Sequence, residues 1–114
     1  MITYEEFKEL YDAIGGSAEF PIFFDEECEG EYMIIKYDDG PTFQKCFGER
    51  YGELKFSSLD ELYYSTMPDE ICLERDWCRV SRVMLGSAFF LEIPSELKDC
   101  WELYVPRTAK WKKD

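Results

Sequence analysis

Three short runs rich in β-branched and aromatic residues stand close together between residues 31 and 56, and every boundary between them is a turn signal. The first is Glu-Tyr-Met-Ile-Ile-Lys-Tyr, followed by Asp38, Asp39, Gly40 and Pro41; the second is Thr-Phe-Gln-Lys-Cys-Phe; the third, after a stretch from Gly48 to Gly52, is Glu-Leu-Lys-Phe. Runs of this composition bounded by Gly, Pro and Asp form strands, and connections this short join antiparallel neighbours. The segment predicts a small antiparallel meander against which the rest of the chain packs. Alternation along the first run puts Tyr32, Ile34 and Lys36 on one face and Met33, Ile35 and Tyr37 on the other. Both faces are largely apolar, as in a strand covered on two sides or interior to its sheet. In the second run Phe43 and Phe47 flank Lys45 on one face. Gly40 is free to take the positive φ of a hairpin turn.

The flanking segments supply helices. Thr3 followed by Glu6 is a capping-box pattern, and Tyr4, Phe7, Leu10, Tyr11 and Ile14 recur at spacings of three and four before Gly15. Phe20-Pro21-Ile22-Phe23-Phe24 is short and apolar, and its proline, lacking a donor, suits an edge strand or a covering segment. Ser57 and Ser58 each have an acid three residues on and open a short second helix through Leu59, Leu62 and Tyr63. Over 69–85 a period of about 100° per residue puts Leu73, Trp77, Val80 and Met84 on one face and Arg75, Arg79 and Arg82 on the other. A helix is the expectation there, although the Cys-Arg-Val-Ser-Arg-Val stretch also alternates as a strand does. Ala88-Phe89-Phe90-Leu91, closed by Pro94, suits another strand. A short capped helix from Ser95 and a last strand at Leu103-Tyr104-Val105 complete the expectation.

The fold class is therefore α+β: one domain over residues 1–107, an antiparallel sheet made of the 31–56 meander and a strand near 87–93, an N-terminal helix, and one or two helices between 58 and 85. A chain of 114 residues has room for one hydrophobic core. Residues 108–114 form a basic tail expected to fray.

Several chemistries are poorly supplied. There is no His, which removes the usual base of a Ser or Cys nucleophile, and there is no Gly-Lys pair of a P-loop, no GxSxG and no GxGxxG. Cys78 lies near Arg75, Arg79 and Arg82, cations that would favour its thiolate, but neither a base nor an oxyanion donor accompanies it. Catalysis is not expected, and neither a metal nor a cofactor is. Asp25, Glu27, Glu29 and Gly30 fall at the first, third, fifth and sixth positions of a calcium loop, yet Lys36 occupies the twelfth, where a bidentate Glu belongs. Cys28, Cys46, Cys72, Cys78 and Cys100 are an odd set with no CxxC pair and no apolar signal segment before them, which suits reduced thiols in a cytoplasmic protein. No run approaches the roughly 20 apolar residues of a membrane span.

The formal net charge is −12. It is unevenly placed: residues 1–31 hold ten acids and one Lys, whereas residues 77–114 hold five acids and seven bases. Such a field disfavours nucleic acid and anionic membrane and steers a basic protein toward the chain; its plainer account is solubility. The leading functional expectation is a non-catalytic protein-binding module of inhibitor or immunity type. Its contacts to a basic partner are expected at Asp25, Glu26, Glu27, Glu29, Glu31, Asp38 and Asp39, with Tyr63, Tyr64, Trp101 and Trp111 as aromatic contacts. The first alternative is an anionic-ligand site or an enzyme using Arg75, Arg79 and Arg82, although internal ion pairs with the acids of the first 31 positions are the simpler account of those arginines. The second is a homo-oligomeric structural protein joined through a strand edge or aromatic patch.

Overall fold

The computed structural model of the chain describes residues 3–14, 16–25 and 31–84. Glu26, Glu27, Cys28, Glu29, the strand expected near 87–93, the elements expected from Ser95 onward, Cys100, Trp101, Trp111 and the 108–114 tail lie outside the described residues. Within them stand helix α1 (Tyr4–Ala13), strands β1 (Ala18–Phe24), β2 (Tyr32–Tyr37), β3 (Gly40–Lys45) and β4 (Leu54–Lys55), helix α2 (Leu59–Tyr64), helix α3 (Leu73–Asp76) and strand β5 (Val80–Val83). The strands make one antiparallel sheet in the order β4-β3-β2-β1-β5. The architecture is α+β, and the meander of β2, β3 and β4 forms three of the five strands of the sheet.

Alternation fixes which side chains meet the helices. Phe20 pairs with Ile34 and Ile34 with Phe43, so one row of fully buried side chains crosses the middle of the sheet. Phe7, Leu10, Leu59, Leu62, Leu73 and Trp77 close over that row. Phe7 meets Phe20 edge-on at 5.2 Å between ring centroids and lies 5.5 Å from the ring of Trp77. The opposite face is not bare: Phe23, Ile35 and Thr42 are buried there.

α1 begins with the expected capping box, Thr3 Oγ1 accepting from the Glu6 N–H and the Glu6 side chain accepting from the Thr3 N–H. Ser58, not Ser57, caps α2 by accepting from the Glu61 N–H, while the Ser57 hydroxyl donates to the Glu61 carboxylate at 2.6 Å. At the β2–β3 turn Gly40 has φ +126°, and a Cβ there would stand 2.3 Å from the Phe56 carbonyl oxygen. Glycine is required both by the backbone angle and by the strand passing beside it.

Three expectations need correction. β1 is interior, between β2 and β5, although it contains Pro21. The Pro21 carbonyl accepts from the Met84 N–H on the β5 side, and a strand residue's N–H and C=O point the same way, so the missing donor falls opposite Met84, at the end of the described part of the β1–β5 ladder. The 69–85 segment is not one helix; after a 3-10 turn at Pro68–Glu70, α3 lasts four residues, a second 3-10 turn covers Trp77–Arg79, and β5 follows. Phe47 lies beyond the end of β3 in an exposed bend and does not share a strand face with Phe43.

Candidate functional site

The two ends of the sheet carry different chemistry. At the end where α1 finishes and β2 turns into β3, Lys36 projects from the core face of β2. Its Nζ donates to the main-chain carbonyls of Tyr11 and Ile14, both at 2.6 Å, and sits 4.7 Å from the centroid of the Tyr11 ring. The last carbonyls of a helix have no partners within it and carry partial negative charge, and α1 has no basic residue in its own last turn. Lys36 supplies the missing cation from the neighbouring strand. Burial pulls its pKa below the ordinary lysine value, against the opposing fields of Asp12 and Asp38.

Beside Lys36 opens a cleft of about 410 Å³ between α1, the β2–β3 turn and the start of α2, with Tyr11, Asp12, Asp38, Asp39 and Asp60 among its walls. Its carboxylates differ in how they are answered. Asp60 accepts from Lys8 Nζ at 2.8 Å and from the Tyr4 hydroxyl at 2.6 Å, and those bonds, Lys8 first, hold its carboxyl below the usual range. Asp39 has an exposed pairing with Lys55 at 3.4 Å. Asp12 and Asp38 are exposed and make no hydrogen bond or ion pair among the described residues; the cation whose field they share, Lys36, has its donors on carbonyls. Two carboxylates thus face an open cleft with no counter-ion in contact among the described residues.

At the other end of the sheet the charges are answered. Asp69 Oδ2 accepts from Lys45 Nζ at 2.8 Å and from the Tyr32 hydroxyl at 2.9 Å, so its pKa is lowered, chiefly by Lys45. Lys45 also lies 3.7 Å from Glu31. Arg79 reaches Asp25 with two nitrogens, the shorter contact being 2.6 Å, and stacks 5.5 Å from the Phe24 ring. A small cavity of about 180 Å³ lies among Phe24, Glu31, Tyr32, Asp69, Ile71 and Arg79. Asp25, Asp69 and Glu70 all hold positive φ, at 54°, 65° and 61°. For Asp25 and Asp69 the side-chain bonds just given hold that backbone in place.

Of the acidic residues singled out in the sequence, the four described ones, Asp25, Glu31, Asp38 and Asp39, therefore do not form one patch. Glu31 precedes β2 and Asp38 follows it, which separates them by roughly 20 Å of strand. Asp25 and Glu31 belong to the ion-paired end, and Asp38 and Asp39 to the open cleft. The three arginines are dispersed as well. Arg75 binds the Asp76 carboxylate beside it and the Glu70 carbonyl, Arg79 binds Asp25, and Arg82 lies 4.1 Å from the ring of Phe23, on the sheet face opposite Phe24.

Of the aromatic candidates, Tyr63 is half-buried, stacked on Tyr4 with centroids 3.6 Å apart. Tyr64 is 66% exposed and stands edge-on to Tyr63 at 5.0 Å. Sequence reasoning missed Asp12 and Lys36 as parts of a site. Asp12 looked like ordinary solvated helix surface; only the unexpected Lys on the apolar face of β2 hinted that something polar had to meet it. Among the described residues three cysteines, Cys46, Cys72 and Cys78, are free thiols, no group of three or more acids or cysteines could hold a metal, and no helix is long and apolar enough to cross a membrane. No protein-family model, curated protein or solved structure matches the chain.

Proposed function

We propose that this protein is a small non-catalytic binding module that engages a basic protein partner in the cytoplasm, in the manner of an inhibitor or immunity protein. The observation that carries the reading is the cleft between α1 and the β2–β3 turn, where Asp12 and Asp38 stand exposed with no contacting counter-ion among the described residues. A partner's Lys or Arg side chain entering there gains two charge-assisted contacts without first breaking an internal ion pair. The net charge of −12 supports the same reading, since it raises the encounter rate with a basic surface. Reduced thiols at Cys46, Cys72 and Cys78 agree with the compartment.

The test is affinity capture from lysate of the source cell with the wild-type chain and with the Asp12→Asn, Asp38→Asn double variant, at low and at high salt. The reading expects basic proteins to be retained by the wild type at low salt, and to be lost both from the double variant and at high salt. Equal retention by the two chains would remove the cleft from the interface, and a retained set with no basic bias would remove the whole reading.

A further inference from the structure

We infer that Tyr64 is the aromatic anchor of a second contact on the same acidic face, one that takes an arginine of the basic partner flat against its ring. The inference rests on the proposed function above and names the chemistry of the partner segment. Tyr64 ends α2 and is one of two large hydrophobic residues exposed among those described, the other being Phe47 in the bend after β3. Its ring is not free to collapse onto the core. It stands at 80° to Tyr63, whose own ring lies parallel to Tyr4. A stack fixed from below presents an upper ring to solvent at little further cost in side-chain entropy, which is what an interface anchor requires.

The surroundings choose the partner. Glu5 and Glu74 act on the adjoining Tyr63 hydroxyl, and no basic residue occupies the last turn of α2, whose carbonyl end carries partial negative charge. Lys8, on the neighbouring helix, is held by Asp60. α1, α2 and α3 together carry eight carboxylates against two bases, Lys8 and Arg75, and both bases are paired within the layer. An exposed electron-rich ring in a negative field recognises a cation. A guanidinium is favoured over an ammonium because its plane stacks on the ring while its edge nitrogens reach carboxylates. Asp60 and Lys8 also line the cleft, so one extended basic segment can place a side chain in the cleft and an arginine on Tyr64.

The experiment is calorimetric titration of hexa-arginine and hexa-lysine peptides into the wild type, Tyr64→Ala, Tyr64→Leu, Tyr64→Phe and the Asp12→Asn, Asp38→Asn double variant at low salt. The wild type should bind hexa-arginine more tightly than hexa-lysine. Tyr64→Ala and Tyr64→Leu should weaken hexa-arginine by about two- to fivefold, the range of an exposed cation–π contact, and erase the preference, while Tyr64→Phe keeps it. The double variant should weaken both peptides with the arginine preference intact. If Tyr64→Ala leaves hexa-arginine binding unchanged while the double variant weakens it, the anchor is wrong and the cleft stands. If Tyr64→Leu binds as the wild type does, the contact is apolar and the arginine assignment falls. If neither peptide binds the wild type, both the anchor and the basic-partner reading fail together.

Discussion

Lys36 does more for the fold than its residue type suggests, because it is the donor that closes α1. Replacing it with Met keeps the aliphatic stem and removes both hydrogen bonds to Tyr11 and Ile14. Leaving part-buried acceptors without donors costs about 1–3 kcal/mol, so Lys36→Met should lower stability by that order in a urea titration; an unchanged midpoint would mean that water replaces the ammonium at no cost. Gly40 and Gly16 make a matched pair, both at positive φ, but a Cβ on Gly40 would meet Phe56 O whereas one on Gly16 meets nothing within 4 Å. Gly16→Ala should therefore lose only the left-handed penalty of about 1 kcal/mol, and Gly40→Ala clearly more, because β3 must shift from Phe56. Equal losses in thermal unfolding would show that conformation alone governs both sites. Gly40 was legible in the Asp-Asp-Gly-Pro sequence as a turn glycine. The close approach of Phe56 was not, since it depends on where a residue sixteen positions later is brought.

Among the elements, the meander, α1 and the start of α2 were legible because local pattern and tertiary packing agree there, whereas the 69–85 segment misled for a traceable reason. Leu73, Trp77 and Val80 are buried, as the helical period requires, yet β5 buries Val80 and Val83 at a spacing of three because Ser81 is an extra residue. Phe24 pairs with Val80 and Phe23 with Arg82. A bulge in a strand thus imitates one step of a helix. The turn before α3 holds two successive left-handed residues, Asp69 and Glu70, and among the described residues only Asp69 is held by its side chain, through Lys45 and Tyr32. Glu70→Gly should then be neutral to stabilising by up to about 1 kcal/mol, since the relief of strain slightly exceeds the entropy glycine adds to the unfolded chain. Asp69→Ala should destabilise by removing both bonds while keeping the strain. The opposite order in chemical denaturation would place the anchor of the turn at Glu70. The Asp69 contact was invisible in sequence because its partners are more than twenty positions away.

Across the whole molecule the titrating groups act on stability from both flanks of neutrality. Asp25, Asp60, Asp69 and Asp76 all have lowered pKa values, each first through the hydrogen bond to its cation. A carboxyl lowered on folding contributes stability above its unfolded value, about 4, and that contribution disappears as pH falls through the folded value. Burial raises Tyr4, Tyr11, Tyr32 and Tyr51, with Tyr11 and Tyr51 pushed up to about 12. The unfolded tyrosines ionise near 10 and the folded ones do not, so stability falls once pH rises past about 10. Lys36 has the opposite sign: its folded pKa is lowered, so the cost of burying its charge is relieved as pH rises from that value toward the ordinary lysine value. Urea midpoints measured across pH should therefore decline below about pH 4, climb slightly on the approach to pH 10 and decline beyond it. In Lys36→Met the climb should vanish while both declines remain, and tyrosinate absorbance should lag the ionisation of free tyrosine until the chain unfolds. A climb that survives in Lys36→Met would assign it to another base, and tyrosinate absorbance that follows free tyrosine in the folded chain would contradict the burial of those four rings.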